Sequence, residues 1–216
     1  MSFVVAIDGP AASGKGTLAR RLAARFGLAH LDTGKLYRAA ALLALDAGGD
    51  PADPAAAEVA ARRVTPALLN DPRLLSEPVA AASSVVAAVP GVRSTLLAFQ
   101  RDFAKHPPAP AKGAVLDGRD IGTAVCADAE VKLFITASQE ARAARRLKEL
   151  RERGAAAIYD RVLQDMKERD ARDSERRVAP LSAAPDAVTI DTTSLDPDQV
   201  FETASELIAR ALAAHG

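Results

Sequence analysis

The chain has 216 residues, of which 49% are hydrophobic and 26% charged, and it is long enough for one sizeable core. Lysine plus arginine and aspartate plus glutamate number 28 each, so excess positive charge is not available for holding nucleic acid. The single cysteine, Cys126, excludes an internal disulfide and a cysteine-based metal site. We find no charged leader and no apolar run of membrane-spanning length, and we expect a cytoplasmic protein without membrane or nucleic-acid partners.

Five short apolar runs are predicted to be β-strands, at residues 3–7, 29–31, 114–116, 131–135 and 188–190. Several are continuous rather than alternating in hydrophobicity, as expected for strands buried on both faces. Predicted helices lie between and after them, at residues 15–26, 36–47, 79–89, 92–105, 139–153, 155–173 and 198–214. Strands that alternate with helices predict an α/β fold with a five-stranded parallel sheet covered by helices on both faces.

Two segments lack a helical or strand period. Residues 46–54 are rich in glycine, proline and aspartate, and we predict a loop there. Residues 64–78 contain Pro66, Pro72 and Pro78, which argue against regular structure in that part of the chain.

A glycine-rich segment follows the first predicted strand and opens the first helix. It nearly matches the phosphate-binding pattern G-x-x-x-x-G-K-[ST], with one extra glycine before the hydroxyl residue. Its residues are Gly9, Pro10, Ala11, Ala12, Ser13, Gly14, Lys15, Gly16 and Thr17. Backbone N–H groups and the helix N-terminus can hold phosphate oxygens, Lys15 can reach the β- and γ-phosphates, and Thr17 can bind Mg²⁺. The alternative is a plain strand–helix turn with a solvated lysine, but the strand–loop–helix context favours a nucleoside triphosphate site.

Charged residues follow the second and third predicted strands, where ligands of open α/β sheets bind. Thr33 and Arg38 follow the second strand, and the alternative role for Thr33 is to cap the next helix. Asp117 ends the third strand, like an aspartate that holds metal-bound water beside a phosphate loop. Arg119 and Asp120 come next. Such a pair is usually a surface ion pair of little worth, but its place at a strand end favours a ligand role.

A run of charges near the C-terminal third is predicted to be helical, with Arg169, Arg172, Asp173 and Arg176 on one face. On charge pattern alone, the simpler interpretation is a solvated helix with ion pairs between neighbouring turns. The functional alternative is a mobile lid. Its arginines would stabilise a transferring phosphoryl group and help to exclude water.

The sequence resembles the bacterial cytidylate kinases in five stretches that occur in the family order and reach over most of the chain. They are I-D-G-P-A-A-S-G-K-G-T from Ile7, L-D-T-G-K-L-Y-R from Leu31, A-S-S-V-V-A-A-V-P-G-V-R from Ala82, D-G-R-D-I-G-T from Asp117 and E-R-D-A-R-D-S-E-R-R-V-A-P-L from Glu168. The first is shared by many families, whereas the last two are far more specific. The resemblance implies a single nucleoside monophosphate kinase domain. Its parts would be a core (1–33, 112–150 and 185–216), a monophosphate-binding lobe (about 34–111) and a helical lid (about 151–184).

The resemblance also implies the reaction, in which the γ-phosphoryl group of ATP passes to CMP or dCMP with Mg²⁺ bound partly through water at Thr17. By matching positions, the CMP phosphate would be held by Thr33, Arg38 and Arg119. The cytosine edge would be read by Ser84, Arg93 and Asp120, and the ribose would be contacted by Arg169 and Asp173. The triphosphate would be covered by Arg172 and Arg176. The catalytic set is Lys15, Arg119, Asp120, Arg172 and Arg176. No general base is needed, since the acceptor is already an anionic phosphate oxygen.

The sequence departs from the family pattern in the monophosphate lobe. Bacterial members commonly carry a strand-rich insert there, but residues 63–78 are short and broken by prolines, which argue against a multi-stranded insert. Lys35 stands where a small residue is usual. His30, His106 and His215 do not cluster with any carboxylate set in the sequence, and we interpret them as structural or exposed.

Other functions compete with this interpretation. Among kinases, the acceptor could be UMP, AMP or a non-nucleotide such as shikimate, although the arginine-rich acceptor side disfavours uncharged acceptors. A nucleotide-dependent switch or ATPase often carries a guanine-reading N-K-x-D element, which is absent from the sequence. A nucleic-acid-processing protein would usually show net basic charge or an added binding module. A monomer is the default expectation for the oligomeric state.

Overall fold

The computed structural model describes residues 2–215 and contains one parallel sheet of five strands. The strands are β1 (Phe3–Asp8), β2 (Ala29–Asp32), β3 (Gly113–Gly118), β4 (Val131–Thr136) and β5 (Val188–Asp191). They lie in the order β2–β3–β1–β4–β5, and every neighbouring pair is parallel. Each observed strand contains one of the predicted apolar runs, so the predicted five-stranded α/β fold is confirmed.

In the described part of the chain, eight α-helices surround the sheet. They are α1 (Lys15–Phe26), α2 (Thr33–Asp46), α3 (Pro54–Arg62), α4 (Glu77–Val86), α5 (Pro90–Lys105), α6 (Gln139–Glu152), α7 (Tyr159–Glu175) and α8 (Pro197–His215). Within residues 2–215, none of them alone has the length and apolar character of a membrane span, and the pair α4 and α5 passes that test only across a bend of 100°.

Helix α3 was not predicted from the sequence. The Asp53 carboxylate caps it by accepting a hydrogen bond from the Ala55 N–H, and Pro54 occupies its first turn, where a missing N–H costs nothing. The segment that follows forms two short 3₁₀ turns, Pro66–Asn70 and Pro72–Leu75. No strand occurs between residues 63 and 78, all of which the structure describes, as the prolines predicted.

The hydrophobic core has two layers, one on each face of the sheet. One layer joins the strands to helices α2–α5 and includes Leu31, Leu36 and Leu116. The other joins the strands to α1 and α8 and includes Ile7 and Ile208. Helices α6 and α7 pack on each other around a separate small apolar cluster. The lid region predicted from the sequence therefore contributes few side chains to the two main layers of the hydrophobic core.

The chain after β3 forms a single π-helical turn, Ile121–Val125. Asp8, at the end of β1, accepts hydrogen bonds from the N–H groups of Ile121 and Gly122, each at 2.7 Å. Burial raises the pKa of Asp8 to about 6 despite these two bonds. The bonds tie the segment after β3 to the carboxyl end of β1.

Candidate active site

The phosphate loop lies between β1 and α1, as the motif predicted. Gly9 has φ +152°, and a Cβ atom there would lie 2.0 Å from the carbonyl oxygen of Ile135 in β4, so the close approach of loop and strand requires glycine. Gly14 precedes α1 with φ +92°, in the left-handed region that also favours glycine. The loop backbone thus curves tightly at the carboxyl edge of the sheet.

Lys15 crosses the loop, and its ammonium group donates a hydrogen bond to the carbonyl oxygen of Pro10 at 3.0 Å. The side chain is buried. Burial, and then the nearby charge of Arg119, lower the pKa of Lys15 to about 7. A bound polyphosphate would supply the negative charge that this position lacks.

One cavity of about 740 Å³ opens beside the loop at the carboxyl edge of the sheet. Its walls bring together residues from distant parts of the chain. They include Ala11, Ala12, Lys15, Gly16, Asp32, Arg38, Ser84, Asp117, Arg119, Arg146, Arg169 and Arg172. Six of the predicted site residues with polar or charged side chains therefore line the same cavity. They are Lys15, Arg38, Ser84, Arg119, Arg169 and Arg172.

Two arginines of the cavity lining differ in whether they have a hydrogen-bond partner. Arg119 donates from Nε to Asp173 at 2.8 Å, whereas the Nε atom of Arg169 has no hydrogen-bond partner within residues 2–215. Burial, and then repulsion by Arg119, lower the pKa of Arg169 to about 9. Buried polar groups are normally hydrogen-bonded, so this guanidinium indicates an anionic or oxygen-rich ligand.

A second charged cluster lies next to the cavity. Asp120 accepts hydrogen bonds from Arg93 at one carboxylate oxygen and from Arg176, at 3.3 Å, at the other. The Arg93 guanidinium also stands 5.4 Å from the ring centroid of Tyr37. All three charged side chains are nearly inaccessible to solvent. The cluster presents a carboxylate flanked by two guanidinium groups, close to Arg119 in the chain.

The position of Arg176 differs from the prediction that it shares a helix face with Arg172 over the triphosphate. Helix α7 ends at Glu175, and the backbone of Arg176 is extended. Its side chain reaches Asp120, while its Nη1 atom stays 4.0 Å from Asp173 Oδ1 on α7. Arg172 remains on α7, exposed and facing the large cavity.

The two predicted phosphate-binding residues from the second strand–helix junction are held by backbone carbonyls. Thr33 donates to the carbonyl oxygen of Asp117 at 2.8 Å, and Arg38 donates to that of Leu74 at 2.8 Å. The capping role considered for Thr33 is wrong, because α2 already begins at Thr33 and Asp32 occupies the cap position. The bond from Thr33 instead links α2 to the end of β3.

Two carboxylates meet beside the loop. Asp32 and Asp117 are partners across the β2–β3 ladder. Burial, and then the charge of Asp117, raise the pKa of Asp32. Asp117 Oδ2 lies 3.6 Å from where a Cβ atom of Gly16 would be, so this carboxylate borders the phosphate loop.

The interpretation that no histidine clusters with carboxylates is wrong for His30. Its Nε2 atom lies 2.7 Å from Asp117 Oδ1, so His30 does contact a carboxylate of the site. His106 and His215 pair with Asp102 and Glu130, which are remote from the cavity lining. The sequence does not reveal the contact of His30 with Asp117, because that contact depends on β2 lying beside β3.

A second cavity, of about 310 Å³, lies on the other side of the phosphate loop. Ser13, Gly14 and Thr17 of the loop line it together with Arg145 and Thr192. The Thr17 hydroxyl accepts a hydrogen bond from Arg20 at 3.2 Å. Thr17, our predicted Mg²⁺ ligand, thus borders this second cavity, whereas both aspartates border the first.

Arg145 and Thr192 were missed by the sequence analysis. Arg145 donates to the Thr192 hydroxyl at 2.9 Å, and that hydroxyl donates in turn to the carbonyl oxygen of Ser13 in the phosphate loop. Thr192 directly follows β5. Its position at the carboxyl end of a strand is the sequence feature that could have marked it as a candidate ligand-binding residue.

Comparison with known proteins shows which family the chain belongs to. The model of the cytidylate kinase family matches residues 5–210. The chain is 59% identical to a cytidylate kinase of Paramagnetospirillum magneticum, covering 96% of this chain and 98% of that protein. It is 57% identical to a cytidylate kinase of Rhodospirillum rubrum, with coverages of 96% and 97%. A solved structure of an uncharacterized protein from Eubacterium ventriosum shares the fold, with a TM-score of 0.51 at 16% identity over 99% of each chain.

Proposed function

The chain belongs to the cytidylate kinase family, and we propose how its residues transfer the γ-phosphoryl group of ATP to CMP or dCMP, giving ADP and CDP or dCDP. One observation carries this mechanism. The large cavity is lined by Lys15 and Gly16 of the phosphate loop together with arginines of the acceptor side and of α7. Phosphoryl transfer needs donor and acceptor phosphates in contact and in line, and a single shared cavity supplies that arrangement.

The donor nucleotide would bind along the phosphate loop. Its β- and γ-phosphates would lie against the loop N–H groups and Lys15, at the edge of the large cavity. Its nucleoside would extend into the second cavity, since Ser13, Gly14 and Thr17 line that space from the same loop. Arg145, which also lines the second cavity, would then cover the donor base.

The acceptor phosphate would be held by Arg38 and Arg119 on the opposite wall, with Thr33 fixing the strand end between them. The ribose would lie near Arg169 and Asp173, where a hydroxyl group could accept from the unpartnered Arg169 Nε. That hydroxyl could also donate to Asp173, whose carboxylate accepts from Arg119. CMP and dCMP differ at a single ribose hydroxyl, so these contacts bear on the preference between them.

The acceptor base would be read by the cluster of Arg93, Asp120 and Arg176, with Ser84 on the cavity wall. The cytosine edge presents an amine donor beside ring-nitrogen and carbonyl acceptors. A carboxylate between guanidinium groups presents the complementary acceptor and donors. Each Asp120 oxygen has a second lone pair free to accept from the amine. Uracil carries a carbonyl where cytosine carries its amine, and it would leave the buried carboxylate facing an acceptor.

The donor set beside the phosphate loop fits Mg²⁺. Mg²⁺ in phosphoryl-transfer sites keeps several waters and is held by substrate phosphates with one or two carboxylates. Asp32 and Asp117 supply two such carboxylates next to the loop, and residues 2–215 hold no cluster of three or more candidate ligands that would form an all-protein site. When bound, the ion would neutralise charge on the transferring phosphates. Thr17 remains a predicted contact through water.

The chain's own residues would do the remaining work by positioning and charge. Lys15 would hold the β–γ bridge, Arg119 would hold the acceptor oxygen in line, and Arg172 would approach the transferring group from α7. No residue would need to take a proton, because the acceptor oxygen is ionised. Closure of α7 over the cavity would exclude the water that could otherwise accept the phosphoryl group.

We further propose the division into core, monophosphate-binding lobe and lid that the resemblance implied, with α7 as the principal lid helix. We propose a monomer, since one chain supplies both the donor and the acceptor walls of the cavity. We place it in the cytoplasm, where nucleoside monophosphates and ATP are available, and with small nucleotides as its only substrates.

The base-reading role is tested by steady-state kinetics of Asp120→Asn and Ser84→Ala with CMP and UMP. We expect Asp120→Asn to lower kcat/KM for CMP by about a hundredfold, the effect of losing a hydrogen bond to a charged group. Its kcat/KM for UMP and its KM for ATP should change by less than about threefold, because the donor side is untouched. Ser84→Ala should lower kcat/KM for CMP by about tenfold.

Asp102→Asn is the matched control, since Asp102 is 76% exposed and pairs only with His106. Asp120→Asn leaves Arg93 and Arg176 without a carboxylate, so its urea unfolding should be recorded alongside. Ser84→Ala leaves no charged group unpaired, so a loss of activity in this variant does not come from a destabilising buried charge. Equal losses with CMP and UMP in both variants would contradict the base-reading role.

A further inference from the structure

His30 is the only hydrogen-bond donor to the Asp117 carboxylate within residues 2–215. The imidazole Nε2 must carry the hydrogen in this bond, because a carboxylate oxygen only accepts. Both groups are largely buried: 18% of the His30 side chain and 5% of the Asp117 side chain are exposed. The backbone of Asp117 is fixed separately, by the Thr33 hydroxyl bond to its carbonyl oxygen. Among the described residues, the bond from His30 is therefore the hydrogen bond that orients the Asp117 carboxylate.

That orientation matters because of what surrounds the carboxylate. The Oδ1 atom is taken by His30, and Oδ2 borders Gly16 of the phosphate loop. Asp32 stands opposite across the ladder and repels Asp117, while Lys15 attracts both. Without the His30 bond, the Asp117 carboxylate would be free to turn toward the lysine and away from its present orientation.

We propose that His30 is a positioning residue that holds the Asp117 carboxylate in the orientation needed by the Mg²⁺–triphosphate complex. The proposal rests on the proposed function, since it takes Asp117 to face the metal-bound phosphates. Residues that hydrogen-bond a metal-binding carboxylate orient it, and their loss commonly weakens metal binding by ten- to a hundredfold. His30 would act in this way although it touches neither nucleotide.

Calorimetric titration of ATP, with and without Mg²⁺, tests the proposal in a set of single variants. His30→Leu removes the donor, and His30→Gln keeps an N–H donor on a side chain of similar reach. We expect His30→Leu to weaken Mg-ATP binding by about tenfold and metal-free ATP binding by less than about twofold. We expect His30→Gln to bind Mg-ATP within about threefold of the unchanged protein. His106→Leu is the control, because the His106 side chain is 75% exposed and pairs with Asp102 outside the cavity.

The outcomes separate the possibilities. Equal weakening of Mg-ATP and metal-free ATP by His30→Leu would overturn the proposal, since a merely structural role affects both. Unchanged binding of both forms would overturn it as well. The unchanged protein is titrated in the same series with CMP. If it binds neither CMP nor ATP, the proposed function fails. If it binds both and Mg²⁺ strengthens ATP binding equally in His30→Leu, only the role of His30 fails.

Discussion

Lys15 shows how the site is prepared for an anion. The ammonium group is buried among Arg119 and Arg169, and the carbonyl oxygen of Pro10 is its only hydrogen-bond partner within residues 2–215. Burial and these like charges favour the neutral amine, which is why the pKa falls to about 7. A triphosphate on the loop reverses this balance, because it brings negative charge to within contact of the lysine.

We therefore expect ATP binding at pH 8 to take up most of one proton at Lys15, as its pKa returns toward the ordinary value of about 10.5. The sign follows from linkage: the complex holds a proton that the free protein has lost, so ATP affinity should fall as the pH rises above 7. Titration calorimetry in buffers of different ionisation heat measures the uptake. Lys15→Met should show none, and proton release or no exchange in the unchanged protein would contradict the assignment.

Single residues differ in how far the sequence reveals them. Lys15 and the glycines belong to a loop whose contacts are local in sequence, so the motif alone located them. Arg119 was located because it follows an apolar strand. His30 and Thr192 were missed because their partners are 87 and 179 residues away along the chain. Those contacts exist only once the strand order is set.

At the scale of elements, Arg142 holds α6 and α7 to the phosphate loop. Its guanidinium donates to both carboxylate oxygens of Asp170 in α7, at 3.2 and 2.6 Å, and to the carbonyl oxygens of Ala137 and Ala11. The side chain is 4% exposed. A buried charge with this many partners is costly to leave unpaired, so the pair fixes where α7 stands relative to the loop.

Asp170→Asn should loosen α7, because the amide offers one acceptor oxygen in place of two and leaves the Arg142 charge uncompensated. We expect faster hydrogen exchange across residues 159–175, while the amides of β1 and β3 keep their protection. Mass spectrometry after deuterium labelling measures both. Asp160→Asn, at an exposed position in the first turn of the same helix, is the control. Faster exchange in both variants, or in the sheet as well, would contradict this role.

The elements themselves were predictable to different degrees. Helix α1 begins and ends at the predicted residues, and Ser138 caps α6, since its hydroxyl accepts from the Ala141 N–H. Helix α3 could have been predicted from Asp53 and Pro54, which form an ordinary helix start. The end of α7 at Glu175 has no such local signal, so the sequence does not indicate that Arg176 lies beyond the helix.

In the whole molecule, the cavity lies where the layers of the core meet at the carboxyl edge of the sheet. Helices α2–α5 share their apolar layer with the strands, whereas α6 and α7 have their own small cluster. We therefore expect α7 to move more than the acceptor wall when nucleotides bind. The shortened segment at 63–78 fits this division, since its two 3₁₀ turns are held to α2 by Lys35 and Arg38.

Phosphoryl transfer to cytidine monophosphates is tested by measuring ADP release from Mg-ATP in the presence of CMP, dCMP, UMP, AMP, GMP or no acceptor. We predict rapid release with CMP and dCMP, slow release with the other monophosphates and almost none without an acceptor. The ratio of the two cytidine substrates would report on the ribose contacts of Arg169 and Asp173. Comparable release with UMP or AMP would contradict the base-reading cluster, and rapid release without any acceptor would contradict phosphoryl transfer to a nucleotide.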